Sequence, residues 1–349
     1  MSHALLLKKL RSHGIGGKIY GWIQAWLTDR MQRVCVAGAE STWARVTSGV
    51  PQGSVLGPIL FLIYINDIDA QVVNHLLKFA DDTKLFGPAH SLEDTSSLQA
   101  DLDLLSKWSS EWRMPFNADK CTVMHLGRHN GGQQYYLGSH PLAATQKETD
   151  LGIVHTVDLK AAAQCTQACM KANRILGMVA RTIKSRDQRL LTTLYKTLIR
   201  PHLEYGIVVW SPHYQKDKDL LERVQHRFTR LFPELRSISY EDRLRRLQLW
   251  SLQERRNRAD LIEVFKLYRG LTDVPFDRFF HLSQTMTRGH PAKIAKTQAN
   301  TDLRMHFFSL RVVNRWNHLP VAAVEEQTVD GFKTHLSKLR QIKMGYFLD

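Results

Sequence analysis

Only four cysteines occur in the 349 residues: Cys35, Cys121, Cys165 and Cys169. They are scattered, which excludes the paired framework of a secreted disulfide scaffold and points to reduced thiols in nucleus or cytosol. Cys165 and Cys169 fall four apart on an expected helix, but no second Cys/His pair at zinc spacing follows, so they read as one helix face rather than a metal site. Long apolar runs are also lacking. The longest, residues 55–65, is too short to cross a bilayer and is broken by Gly57-Pro58. The first residues carry Lys8, Lys9 and Arg11 without an apolar export core, so neither a leader nor a membrane partner is expected. Acidic side chains are the minority, 33 against 48 Lys and Arg, and the resulting charge of +15 fits a polyanionic partner. There is no internal repeat and no low-complexity tract, which excludes solenoid and disordered classes.

What is present reads as an α+β chain long enough for two or more domains. Residues 4–13 and 18–30 have helical spacing, with Trp22, Trp26 and Leu27 as an apolar stripe. Two strands, 32–36 and 42–47, flank a turn at Gly38, and a helix over 54–66 follows. A long helix over 92–112 repeats Leu98, Leu102, Leu105, Trp108 and Trp112 as a core face and ends at Met114-Pro115. Gly131-Gly132 opens a loop before strands near 135 and 151. Beyond Leu159 the pattern turns mostly helical, over 160–183, 187–199, 216–231, 239–247 and 250–269. Residues 271–302, with Pro275, Gly289 and Pro291, read as a linker or mobile loop. A helical piece over 303–316 and an amphipathic tail near 328–340 close the chain.

Two stretches carry the chemistry. Residues 74–80 read as a strand with Leu77 and Phe79 on one face, and Thr83-Lys84-Leu85-Phe86 resumes the alternation, so Asp81 and Asp82 fall at a hairpin tip. Adjacent carboxylates repel, and divalent cations relieve this because hard oxygen ligands hold Mg2+ while substrate phosphates complete its shell. Two such ions, about 3.5 to 4 Å apart, serve in-line phosphoryl displacement. The small Ala80 lets a nucleic-acid backbone come close. Aspartates also favour turns for purely local reasons. The second stretch is Pro51-Gln52-Gly53-Ser54, where Gly49 and Gly53 allow close backbone approach and Gln52 offers a donor and an acceptor. It reads equally well as a loop that caps the next helix through Ser54.

Together, "VTSGVPQGSVLGPILFLIYINDI" and "LLKFADDTKLF" resemble the reverse transcriptases of non-LTR retrotransposons, the LINE elements, in particular their jockey-like group. "NADKCTVMHLG" (117–127) is similar to the next palm motif, "DLGIVHTVDLK" (150–160) to the primer-grip strand pair, "LIRPHLEYGIVVWSPH" (198–213) to the thumb and "RVVNRWNHLP" (311–320) to the C-terminal tail. The resemblance implies a right-hand polymerase palm, an antiparallel sheet packed on helices, over 1–159. A basic helical thumb over 160–270, the 271–302 linker and a helical tail over 303–349 would follow. It implies RNA-templated DNA synthesis by two-metal nucleotidyl transfer, with an RNA template, a DNA primer, deoxynucleoside triphosphates and two Mg2+ ions in the complete site. Asp81 and Asp82 match the catalytic, metal-holding doublet, with Asp81 the stronger ligand. Gln52, Gly53, Ser54, Phe79 and Ala80 match the template and nucleotide contacts. Lys120 matches a lysine that neutralises or protonates the leaving pyrophosphate; it also reads as a solvated lysine.

The departure is at the start. The family's first motif ends in a phrase of the type Phe-Asp-x-Val-x-His just ahead of "LLLKKLRSHGI", and Met1-Ser2-His3 coincides with its end. The third aspartate and the fingers are thus expected to be missing, and the chain alone to be inactive or nearly so. The other reading is a remnant that binds RNA or RNA/DNA hybrid without turnover. For either, Arg227, Arg230, Arg243, Arg246, Arg255 and Arg258, interleaved with Phe228, Trp250 and Tyr268, form the expected backbone-binding segment; the same arginines also read as a solvated face paired with Glu222, Glu241, Asp242, Glu254 and Glu263. Oligomeric state is not legible in the sequence.

Overall fold

A computed structural model describes residues 1–284, 288–343 and 345–348. The chain divides into two compact units, Met1–Gln146 and Lys147–Asp349. It is a mixture of helices and small two-stranded sheets, as an α+β chain should be.

In the first unit, α1 (His3–Ser12), α2 (Gly17–Leu27) and α3 (Leu56–Ile65) bury Leu6, Leu10, Ile23, Leu27, Leu60 and Tyr64 against one another. Of the expected α2 stripe, Leu27 is buried and Trp26 half-buried, but Trp22 is exposed and stacks on Trp26. Between α2 and α3, β1 (Met31–Gln32) pairs with β4 (Ala44–Arg45), and inside that pair β2 (Cys35–Val36) meets β3 (Ala39–Glu40). Ala37 and Gly38 both take positive φ, 49° and 84°, as a tight two-residue hairpin turn requires.

The candidate hairpin follows: β5 (His75–Phe79) and β6 (Asp82–Phe86), then α4 (Leu92–Glu111). A capping box fixes the start of α4, because Ser91 Oγ accepts from the Asp94 N–H while the Asp94 carboxylate accepts from the Ser91 N–H. The unit ends with β7 (Thr122–Val123), β8 (Tyr136–Leu137), β9 (His140–Pro141) and β10 (Ala143–Ala144); β8 and β9 form a hairpin, whereas β7 and β10 run parallel. The single antiparallel layer expected here is therefore a set of separate pairs, since two-residue strands offer few ladder positions to extend.

The second unit opens on the antiparallel hairpin of β11 (Lys147–Asp150) and β12 (Ile153–Thr156), followed by α5 (Ala162–Thr182). Ile153 shares the α5 core, and the Val154 N–H donates to Gln164 Oε1 at 2.9 Å. This hairpin thus groups with the helices after it, and the division falls after Gln146 rather than after Leu159. Helices α6 (Gln188–Leu194), α7 (Arg200–Glu204), α8 (Ile207–Trp210), α9 (Gln215–Thr229), α10 (Tyr240–Arg246) and α11 (Leu252–Tyr268) complete this layer. A π-helical turn, Tyr195–Ile199, joins α6 to α7 just ahead of Pro201, which has no N–H to continue the ladder. Gly206 has φ 60°, and a Cβ there would lie 2.6 Å from Ile153 Cδ1, so the approach of α8 to β12 needs glycine.

A further core of Leu261, Phe265, Phe280, Ile294, Trp316 and Phe332 organises the C-terminal part. The helix expected over 303–316 is broken into α12 (Asp302–Met305), α13 (Phe308–Arg311) and α14 (Val313–Asn317), followed by α15 (Val321–Val324) and α16 (Val329–Ile342). The described residues of 271–302 contain little regular structure, yet they do not form a free linker. Phe280, His290, Ala292 and Ile294 are buried, and the Trp316 indole donates to the Ala292 carbonyl at 2.8 Å. Residues 285–287 of that segment, and 344 and 349 of the expected tail, lie outside the described residues.

Candidate functional site

The β5–β6 hairpin pairs Phe79 with Asp82, which leaves Ala80 and Asp81 as a two-residue turn with Ala80 at φ 51°. Asp81 therefore occupies the turn and Asp82 opens β6. Both are exposed, and among the described residues neither carboxylate is held in an ion pair. Strand alternation puts Leu76, Lys78 and Leu85 on a half-buried side and Leu77 and Phe79 on the open side, where Phe79 is 65% exposed. An exposed aromatic beside two exposed carboxylates is a surface on which a base or ribose can rest.

The hairpin is anchored at its base. Asp101 of α4, 1% exposed, accepts from the backbone N–H groups of Val73 and Asn74 at 2.9 Å each, and from Asn74 Nδ2 at 2.8 Å. A Cβ on Gly87 would lie 2.2 Å from Asn74 Oδ1, so the residue that follows β6 must be glycine for this clamp to close. His75 stacks on Phe86 across the strands, with centroids 5.1 Å apart. Lys78 donates to the Asn66 carbonyl at 3.0 Å and pairs with Asp69 at 2.7 Å, tying β5 to the C-terminal end of α3. Asp101, Asn74, Lys78 and Gly87 all escaped the sequence reading. Among them only Asp101 carried a signal, a lone acid on the apolar face of an otherwise amphipathic helix.

The Gln52 loop lies at the opposite end of α3, a helix of ten residues and so about 15 Å long. Gln52 and Gly53 are exposed, and Gly53 has φ 78°. Ser54 does what a capping residue does: its Oγ accepts from the Gly57 N–H at 3.0 Å and donates to the Pro51 carbonyl at 2.7 Å. Lys120 ends an exposed 3-10 turn, Ala118–Lys120. The doublet, the loop and Lys120 thus belong to one unit, but among the described residues no hydrogen bond links the three directly.

The six arginines separate into two groups. Arg227, Arg230 and Arg246 are exposed. Arg243 is 3% exposed and contacts His226 Nδ1 at 3.0 Å; Arg255 grips Glu204 through two nitrogens; Arg258 lies over the Trp250 ring at 5.2 Å, and burial lowers its pKa. The interleaved aromatics are also committed to packing, with Phe228 fully buried and Trp250 and Tyr268 half-buried. No helix among the described residues is long and apolar enough to cross a membrane.

The family model described as "Reverse transcriptase (RNA-dependent DNA polymerase)" matches residues 1–177, which include the Gln52 loop, the aspartate doublet and Lys120. The chain is 28% identical over 208 residues to the RNA-directed DNA polymerase from mobile element jockey of Drosophila melanogaster, covering 56% of this chain and 23% of that protein. It is 25% identical over 225 residues to the probable RNA-directed DNA polymerase from transposon X-element of the same fly, covering 61% of this chain and 24% of the relative. The matched region thus spans about a quarter of the length of these curated relatives. With half its length under the family model and these relatives beside it, the chain belongs to the reverse transcriptase family, in its LINE-type, non-LTR retrotransposon branch.

Proposed function

We propose that the chain is part of the palm and thumb of a LINE-type reverse transcriptase and contributes to RNA-templated DNA synthesis. The observation that carries this is the aspartate doublet, presented at a two-residue turn and held from beneath by buried Asp101. Two exposed carboxylates on consecutive residues form a hard, all-oxygen donor set, which suits Mg2+. When bound there, the ions would neutralise phosphate charge and favour ionisation of the primer hydroxyl. Asp81 and Asp82 would hold them, exposed Phe79 would support the sugar or base beside them, and Gln52 with Gly53 would touch template and nucleotide. Lys120 would meet the pyrophosphate as a positive charge.

The resemblance implies that a third carboxylate completes the metal-holding set. Primer extension on an RNA template tests this, with the chain as it stands, a form lengthened at its N terminus by a relative's first palm motif and fingers, and Asp81→Asn in each. Synthesis is expected from the lengthened form and should fall by about a hundredfold or more in its Asp81→Asn variant, the scale for losing a positioned charge. Undiminished synthesis after Asp81→Asn would remove the doublet from the mechanism.

A further inference from the structure

Among the described residues, one cluster of three metal-ligating side chains converges, and it lies far along the sequence from the doublet: His213, Asp302 and His306. His213 follows α8, while Asp302 opens α12 and His306 follows it, so residues 89 positions apart meet here. Asp302 divides its oxygens between the rings, with Oδ2 3.0 Å from His213 Nε2 and Oδ1 3.4 Å from His306 Nε2. All three ligand atoms lie within 4.8 Å of one another. The imidazoles stack nearly parallel, 4.4 Å between centroids and 6° between planes.

We propose that His213, Asp302 and His306 bind a zinc ion through two nitrogens and one carboxylate oxygen, with the fourth position open. A tetrahedral zinc with bonds of about 2.0 to 2.2 Å holds its ligand atoms roughly 3.3 to 3.6 Å apart; the two Asp302–histidine separations, 3.0 and 3.4 Å, lie near that range, and binding requires the parallel rings to turn so that both in-plane lone pairs reach one ion. The donor chemistry also fits: imidazole selects zinc and its neighbours over magnesium or calcium. Asp302 is oriented from outside the triad, because the Tyr214 hydroxyl donates to Oδ2 at 3.1 Å. Both histidines line a cleft of about 650 Å³ together with Lys296, Arg311 and Asn314. Such a wall favours water or an anionic oxygen as the fourth ligand.

The test uses the full chain, stripped of metal with chelator and titrated with Zn2+ against a chromophoric competitor. One equivalent is expected to bind, and Co2+ in its place should give the visible absorption of a four-coordinate ion. His213→Ala and His306→Ala should each weaken binding by at least about tenfold, while His335→Ala, which alters a histidine beside Glu326, should leave it unchanged. Thermal unfolding with and without Zn2+ reports whether each variant is folded, and zinc should raise the midpoint of the wild type and of His335→Ala alike, but less or not at all that of His213→Ala, His306→Ala and Asp302→Asn. Absence of a stoichiometric site in the wild type would overturn the proposal. So would folded His213→Ala and His306→Ala variants that bind zinc as the wild type does.

Discussion

Asp101 receives three hydrogen bonds at the root of the β5–β6 hairpin, two of them from Asn74 alone: its backbone N–H at 2.9 Å and its side-chain amide at 2.8 Å. Asp101→Ala would leave those part-buried donors without their acceptor. Bonds to a charged group contribute about 1.5 to 3 kcal/mol each, with strong overlap within one network, so a net loss of about 3 kcal/mol is expected. Urea unfolding should show it, and amide exchange should accelerate across residues 76–85. A change within about 0.5 kcal/mol, the scale of an ordinary surface substitution, would mean that the hairpin is held by something else.

Lys9 is a buried cation, 2% exposed, paired with Asp67 and lying 3.7 Å from the centre of the Trp112 ring. Burial pushes the Asp67 carboxyl up, but hydrogen bonds from Lys9 and the Trp108 indole, with the Lys9 charge, bring it below the ordinary value of 3.8. A lowered carboxyl pKa means that the folded chain takes up a proton less readily than the unfolded one. The contribution is full above the ordinary value and is lost as pH falls through the folded one. Lys9 is itself lowered, chiefly by burial, so alkaline pH does not weaken the fold through it. Lys9→Met is expected to cost about 1 to 2 kcal/mol, moderated because Asp67 is half-exposed, and to flatten the acid side of the stability curve. Chemical denaturation at a series of pH values would measure both.

The four thiols should differ in reactivity. Cys35 is exposed; Cys165 is pushed up to about 12 by burial, with Asp217 and Cys169 adding to the shift, and Cys169 to about 11, again by burial. A thiolate is the reacting species, so near pH 8 a disulfide reagent should modify Cys35 quickly and leave Cys165 and Cys169 intact until denaturant is added. Rapid modification of either buried thiol in the folded chain would contradict the packing of α5.

Nucleic-acid affinity should reside in the exposed arginines. Replacing Arg227, Arg230 and Arg246 with glutamine should lower affinity for a single strand and reduce the slope of log K against log salt by roughly 2, at about 0.7 per lost phosphate contact. Arg255→Gln should instead cost about 2 to 3 kcal/mol of stability, because Glu204 loses a two-point partner. A gel-shift titration across salt and a melting curve on each variant separate the two outcomes. If the triple substitution left the slope unchanged, these cations would not be phosphate contacts.

Helices whose apolar residues recur at helical spacing were legible in advance: α1, α4, α5, α9 and α11 lie within a few residues of their expected spans, because one buried face per helix writes a period into the sequence. The turn at Gly38 and the capping role of Ser54 were legible for local reasons. The broken helix at 302–317 was not, since its apolar residues Phe308, Val312, Val313 and Trp316 are drawn into a core shared with α11 and α16 rather than aligned on one face. Residues 271–302 misled because Pro and Gly mark loops but do not reveal whether a loop is covered.

For the candidate site the sequence by itself determined which residues are chemically able: the paired carboxylates, the glutamine loop, the family to which both point, and the excess of positive charge. Local chain chemistry was sufficient, since a turn between two short strands and a serine ahead of a helix depend on neighbours in sequence. Tertiary structure alone decided that Asp101 would carry the hairpin, that Arg243 and Arg255 would serve the core while Arg227 and Arg230 face water, and that His213 would meet His306. Those outcomes depend on which faces come together across tens of residues, and burial converts a charge from a ligand for outside partners into a partner for inside ones.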